Sequence, residues 1–208
     1  MRLALATRNA HKVREFAALL APHEVVPLPA DVVLPPETGE TFAENALAKA
    51  RAAAAALGRP AIADDSGIEA AALGGAPGVR SARYAGEHAR DEENLAKLLA
   101  DAPAGSALAY VCALALVDPL AGEERMFEGR CTGTLAACPR GSGGFGYDPA
   151  FIPDDRGDGR TMAELTPREK DAISHRGRAA RALLAWLNEA DYDAIPPRGT
   201  RNRSSRSG

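Results

Sequence analysis

Two aspartates, Asp64 and Asp65, stand side by side in the stretch ADDSG. A brief apolar run precedes them, so they fall at the end of a short strand, where successive side chains point to opposite faces. Two such carboxylates do different jobs: one reaches a cleft while the other supports it. Upstream, PETGETFAENALAK carries Glu37, Glu40, Glu44 and Lys49. Thr41 and Glu44 fit a helix capping box, and Glu40 reads as solvated. Glu37 lies in a loop and is free to reach a metal. Beside a phosphate site, carboxylates suit Mg²⁺, which takes one or two of them plus phosphate oxygens. The same residues also fit a plain polar turn with Asp as a cap.

TRNAHK lies where a first apolar run gives way to a helix. Backbone N–H groups at a helix N-terminus attract anions. Thr7 and Asn9 add neutral polar groups there, and Arg8, His11 and Lys12 add positive charge. Near the other end, EKDAISHRGRAA supplies Lys170, then His175 and Arg176 in the first turn of a helix with Ser174 as N-cap. Two cations at a helix N-terminus oppose the helix dipole, which points to an anionic or keto-bearing ligand. GSGGFGYDPAF spells a dinucleotide-loop pattern, but such a loop must open a helix. Pro149 and Pro153 follow too closely for that. What remains is a glycine run presenting Phe145, Tyr147 and Asp148, a ring and carboxylate able to meet a nucleobase or to fold back as an ordinary turn.

Only four of the 25 basic residues are lysines, Lys12, Lys49, Lys97 and Lys170. In an arginine-biased chain, a surviving lysine marks a need for a compact ammonium rather than a planar fork. Three of the four fall within candidate sites, and Lys97 reads as a solvated helix face. With 208 residues, 46% apolar and a net charge of −3, the chain suits one compact unit with no bias toward nucleic acid. No membrane span or signal peptide is expected. Cys112, Cys131 and Cys138 lack metal-site spacing and read as thiols of a reducing compartment, by default the cytoplasm.

The elements that must position these residues read in order. MRLALAT is a strand, and NAHKVREFAALLA is a helix capped by Asn9. EVVPLP is a short strand. TFAENALAKARAAAAALG is a helix stopped by Gly58. After RPAIADDSG and a glycine-rich loop comes the helix RDEENLAKLLADA. Two strands, ALAYVCALALVD and ERMFEGRCTGTLAA, follow. A polar loop then leads to the final helix, SHRGRAARALLAWLNEA. This alternation predicts an α/β protein with a mixed central sheet flanked by helices. Residues 1–190 form the expected domain, and 191–208 read as a disordered polar tail.

In their order, TRNAHK, ETGETFAENA, ADDSG, GGAPGVRSARYAG, GGFGYDPAF, AEL and SHRGRA resemble the inosine triphosphate pyrophosphatase family, from residue 1 to about Ala190. The resemblance implies Mg²⁺-dependent hydrolysis of ITP, dITP and XTP to the monophosphate and pyrophosphate. It also implies a homodimer, and a cleft between two lobes. It casts Asp65 as catalytic base, and Glu37 with Asp65 as metal carboxylates. It assigns Thr7, Arg8, Asn9, Ala10, His11 and Lys12 to the triphosphate turn, with Lys49 and Ser66 as further substrate contacts. Phe145, Gly146, Tyr147 and Asp148 fall on the base-stacking segment. Lys170, His175 and Arg176 fall on residues that hold the nucleotide and its purine edge. Two alternatives stay open: a Maf-like pyrophosphatase for modified pyrimidine nucleotides, and a nucleotide-binding regulator without turnover.

Overall fold

A computed structural model of the chain describes residues 1–189. The tail expected after Asp191 lies outside the described residues. The elements are β1 (Arg2–Leu5), α1 (Ala10–Leu19), β2 (Glu24–Pro27), α2 (Phe42–Leu57), β3 (Ala61–Ala70), α3 (Asp91–Asp101), β4 (Ala107–Asp118), β5 (Glu123–Leu135), β6 (Phe151–Pro153), α4 (Pro167–Ile173) and α5 (His175–Glu189). One six-stranded sheet runs β2-β1-β3-β4-β5-β6. β1 is parallel to both β2 and β3, and the remaining pairs are antiparallel. The mixed sheet flanked by helices is as the alternation of patterns implies.

Helices cover both faces, and residue size sets how closely each approaches. α2 begins with the Thr41–Glu44 capping box and ends at Gly58, whose φ of 61° is left-handed. Its buried stripe, Ala46, Ala50, Ala53 and Ala54, meets Ala4, Ala6, Ala61 and Ala63 of the sheet. Small residues on both sides let the helix lie close, which brings Asn45 and Lys49 down to β3. On the opposite face, Phe16 and Leu20 of the α1 region and Ala179, Ala180, Leu183 and Leu187 of α5 pack on Leu3, Leu5, Ile62, Leu114 and Leu116. Each fully buried Phe or Leu stabilises by roughly 1.5–3 kcal/mol. α5 also depends on Gly129 of β5, where an added Cβ would lie 2.0 Å from the His175 carbonyl oxygen. A third cluster, including Ile68, Leu98, Tyr110, Leu135 and Phe151, fills the far end of the long strands.

The strand holding the two aspartates is longer than the sequence pattern implies. β3 has ten residues and continues through Asp64, Asp65 and Ser66, each paired with β4 opposite Leu114, Ala113 and Cys112. β1 is only four residues long and pairs with β3 at Ala61 and Ile62. Beyond that point β3 has no strand partner on the β1 side; the Ile68 amide donates to Ser81 Oγ and Glu69 bridges to Pro77. The gap left where β1 stops and β3 runs on is the floor of a cleft. A second difference concerns the stretch before α5, read as a polar loop, which contains α4. Thr166 and Glu169 form a capping box there, with a proline in the first turn.

Candidate active site

The cleft encloses about 380 Å³, within the range of about 300–1,000 Å³ common for ligand pockets. Its lining includes Thr7, Arg8, Asn9 and Lys12 from the β1–α1 turn, Glu37 and Lys49 beside α2, and Asp65 and Ser66 of β3. It also includes Phe145, Gly146, Tyr147, Asp148, His175 and Arg176. Ala10, His11 and Lys170 stand outside this lining. The His11 ring centroid lies 5.0 Å from that of Phe145, and Lys170 Nζ lies 5.2 Å from the same ring.

Asp65 faces α2. Asn45 Nδ2 donates to its Oδ2 at 3.0 Å, and Lys49 Nζ lies 3.6 Å from its Oδ1. Lys49 also donates to Glu37 Oε1 at 2.5 Å. One ammonium is thus shared by two carboxylates. Burial raises the Asp65 pKa; Lys49 opposes this, but the Glu37 charge adds to it, and the net value stands above the ordinary one. Arg83 NH1 also lies 4.0 Å from Glu37 Oε2. Two carboxylates are oxygen donors of the kind a hard divalent cation takes, and phosphate oxygens complete such a sphere for Mg²⁺. Glu37 and Asp65 therefore fit the metal role. Among the described residues there is no cluster of three or more His, Cys, Asp or Glu that could hold a metal by itself.

Asp64 faces the other way. It is fully buried, with Lys12 Nζ 2.9 Å and Arg176 Nε 3.6 Å from its Oδ2, and Ser66 Oγ donates to the same oxygen at 3.0 Å. Burial alone would raise its pKa, but Lys12, Arg176 and Lys49 outweigh burial and hold it far below the carboxylate range. Asp64 is a fixed anion that orients two cations. At the α1 N-terminus, Asn9 Oδ1 accepts from the His11 and Lys12 amides at 2.8 and 3.2 Å.

The ring-facing end is tied by Glu15, a residue the sequence reading did not single out. Its two oxygens accept from Lys170 Nζ at 2.8 Å and from Arg176 at 3.0 Å. Arg176 also donates to Ser66 Oγ at 2.9 Å, and its guanidinium carbon lies 5.0 Å from the Phe145 ring centroid. Asp148 is occupied on every side, accepting from Tyr110 Oη at 3.1 Å and from Lys170 Nζ and the Phe145 amide at 2.9 Å. That carboxylate fits because Gly144 has no side chain: at its φ of +71°, a Cβ would sit 2.0 Å from Asp148 Oδ2. Tyr147 is buried and donates to the Ser81 carbonyl at 2.7 Å, so Phe145 rather than Tyr147 is the half-buried ring of this segment.

His175 corrects the cation pair read at the start of α5. It is buried against Tyr110, ring centroids 4.6 Å apart and nearly parallel. Burial, then Arg176 and Lys170, push its pKa far below the usual imidazole value, so it is neutral and only Arg176 is charged. Ser174 caps the helix as expected, its Oγ accepting from the Gly177 amide at 3.0 Å. His175 Nδ1, Asp64 Oδ1 and Arg176 Nε are buried without hydrogen-bond partners among the described residues. The other residues missed by sequence, Asn45, Ser81 and Tyr110, act through tertiary contacts that leave no local pattern. The glycine run opens no helix: a short 3₁₀ turn, Asp148–Ala150, and β6 follow it.

The cleft thus joins cations and a carboxylate pair at one end to an aromatic ring flanked by the paired charges of Glu15, Asp148, Lys170 and Arg176 at the other. The family model described as the Ham1 family matches residues 3–186, and the chain belongs to that family. It is 52% identical over 200 residues to the dITP/XTP pyrophosphatase of Streptomyces coelicolor, covering 90% of this chain and 98% of that protein. The dITP/XTP pyrophosphatase of Geobacillus kaustophilus is 50% identical over 192 residues, covering 87% and 91%. Among solved structures, a HAM1 protein from Coxiella burnetii superposes with a TM-score of 0.81 at 42% identity, covering 91% of this chain and 99% of that one. Among the described residues, no helix is long and apolar enough to cross a membrane.

Proposed function

We propose that the chain hydrolyses nonstandard purine nucleoside triphosphates, namely ITP, dITP and XTP, to the monophosphate and pyrophosphate. The observation that carries the reading is the division of labour on β3. Asp65 is held beside Glu37 and Lys49 at the cleft, while its neighbour Asp64 is buried on Lys12 and Arg176. Membership of the Ham1 family supports the same reading, as do relatives named dITP/XTP pyrophosphatases.

The triphosphate lies against the ammonium groups of Lys12 and Lys49 and the neutral donors of Thr7, Asn9 and the α1 N-terminus, which match its negative oxygens. Glu37 and Asp65 would hold Mg²⁺. When bound, Mg²⁺ supplies charge to offset the phosphates and lowers the pKa of the attacking water. Asp65 Oδ2 is engaged by Asn45, so Oδ1 is the atom that accepts the water's proton. Its raised pKa makes it a better base than an ordinary aspartate. Lys49, held charged by Asp64, Asp65 and Glu37 against the effect of burial, steadies negative charge as pyrophosphate leaves. At the other end Phe145 stacks on the purine, and Arg176, set by Glu15, donates to its keto oxygen.

The test is pyrophosphate release from ITP, dITP, XTP, ATP and GTP with Mg²⁺. Efficient release from the first three and little from the last two is expected. Measurable binding with no release would favour a non-catalytic regulator. A homodimer belongs to the same proposal, and sedimentation equilibrium tests it.

A further inference from the structure

We propose that Arg8 is a positioning residue that staples the wall of the cleft, rather than a ligand of the triphosphate turn. Its guanidinium is already committed. NH1 donates to the Leu28 carbonyl at 2.9 Å, and NH2 donates to those of Pro29, Ala30 and Val32 at 2.9, 3.3 and 2.7 Å. All four acceptors lie in the connection between β2 and α2, the same connection that brings Leu34, Pro35 and Glu37 to the cleft.

This connection has few bonds of its own. It runs through no helix or strand, and Pro29, Pro35 and Pro36 contribute no N–H. Within it the Val32 amide donates to the Pro29 carbonyl and the Thr38 amide to that of Pro36, and Arg8 supplies donors to Leu28, Ala30 and Val32 from outside. Its far end is held by Lys49 on the Glu37 carboxylate and by Arg83, whose NH2 donates to the Glu37 carbonyl at 3.3 Å. Its near end is held by Arg8. Between the anchors Val33 is 85% exposed, whereas Leu28 and Val32 are buried. Arg8 thus fixes the span that delivers Glu37. Only a guanidinium suits the task, because its donors fan out in a plane and reach several carbonyls at once, whereas an ammonium is a compact point.

The proposal rests on the pyrophosphatase reading only for its kinetic arm. Arg8→Lys keeps the charge and loses the fork; Arg8→Gln loses the charge. Amide hydrogen exchange of residues 30–34 is measured on the full chain without nucleotide or metal, and ITP kinetics are measured with Mg²⁺. Both variants are expected to speed exchange there by about fivefold or more, as a local opening would. Both should raise the ITP KM and the half-saturating Mg²⁺ to a similar degree, with kcat changed by less than about twofold. Wild-type exchange in both variants overturns the proposal. So does an Arg8→Lys enzyme that behaves as wild type while Arg8→Gln does not, since that pattern belongs to a direct charge contact. If the wild-type protein releases no pyrophosphate, the functional reading fails and the exchange arm still decides the role of Arg8.

Discussion

Asp64 and Asp65 adjoin along β3 and are gripped from opposite faces: Lys12 of α1 lies 2.9 Å from Asp64, and Asn45 of α2 donates to Asp65 at 3.0 Å. Their pKa values are driven in opposite directions, Asp64 down and Asp65 up. Strand alternation has given two neighbouring carboxylates unlike environments, so their substitutions should differ in kind.

Asp64→Asn should be a stability variant. A depressed folded pKa means that the stabilisation is present above the unfolded value of about 3.9 and is lost only as pH falls through the much lower folded value. Wild-type protein therefore carries all of it at neutral pH. The variant leaves Lys12 without its carboxylate in a buried site and Arg176 to its ion pair with Glu15, a loss of about 3–5 kcal/mol. Urea denaturation at pH 7 measures it, and an unchanged midpoint would refute the account.

Asp65→Asn should be a catalytic variant. A raised folded pKa means that stabilisation is present below the unfolded value and lost as pH rises through the folded one. At pH 7 the ionised group is thus a net cost to the fold, and the variant should be as stable as wild type or more so. Its turnover should fall by about 10² or more, the scale of a lost general base, with nucleotide binding still measurable. In the metal-free wild-type protein the Asp65 carboxyl should titrate above the ordinary aspartate range. Retention of more than about a tenth of the activity would remove Asp65 as the base.

The lysines should separate by burial. The side chains of Lys12 and Lys170 are 14% and 9% exposed and sit on carboxylates, whereas Lys97 is 41% exposed beside Asp101. Lys12→Arg and Lys170→Arg should each lower kcat/KM, because a planar fork does not fit where an ammonium is enclosed. Lys97→Arg should change stability by no more than about 0.5 kcal/mol and leave kinetics alone. Equal, negligible effects at all three positions would discard the argument.

Base choice should rest on Arg176. Hypoxanthine and xanthine present a keto oxygen where adenine presents an amino group, and a donor facing that amino group loses its partner. The loss costs about 1–3 kcal/mol, more for a charged group. Arg176→Ala should therefore cut ITP turnover and narrow the ITP-to-ATP ratio of kcat/KM, whereas Phe145→Ala should lower both substrates alike. Because His175 is buried and neutral, the wild-type ratio should stay flat between about pH 6 and 8, where an ordinary histidine titrates. A ratio unchanged in the Arg176 variant would assign selectivity elsewhere.

The caps at Asn9, Thr41 and Gly58 were legible because each depends on residues within one helical turn. Even α4, read as loop, carried its signal in Thr166, Pro167 and Glu169. The length of β3 was not legible. Two charged residues and a serine argue against strand, and they are tolerated only because partners from α1, α2 and α5 meet them. Glu15 was invisible for a related reason: its partners, Lys170 and Arg176, lie 155 and 161 positions away. Burial likewise decided the charge of His175, which residue type alone could not reveal.

Glu15 has a mechanical meaning as well as an electrostatic one. It sits on α1, the helix whose N-terminus carries Asn9 and Lys12, and it holds Lys170 of α4 and Arg176 of α5. One helix therefore carries both the cap at its N-terminus and, roughly 9 Å along at a rise of about 1.5 Å per residue, the carboxylate that ties α4 to α5. Any shift of α1 would carry the turn at Asn9 and the basic pair at Lys170 and Arg176 with it, so the helix couples the two ends of the cleft mechanically.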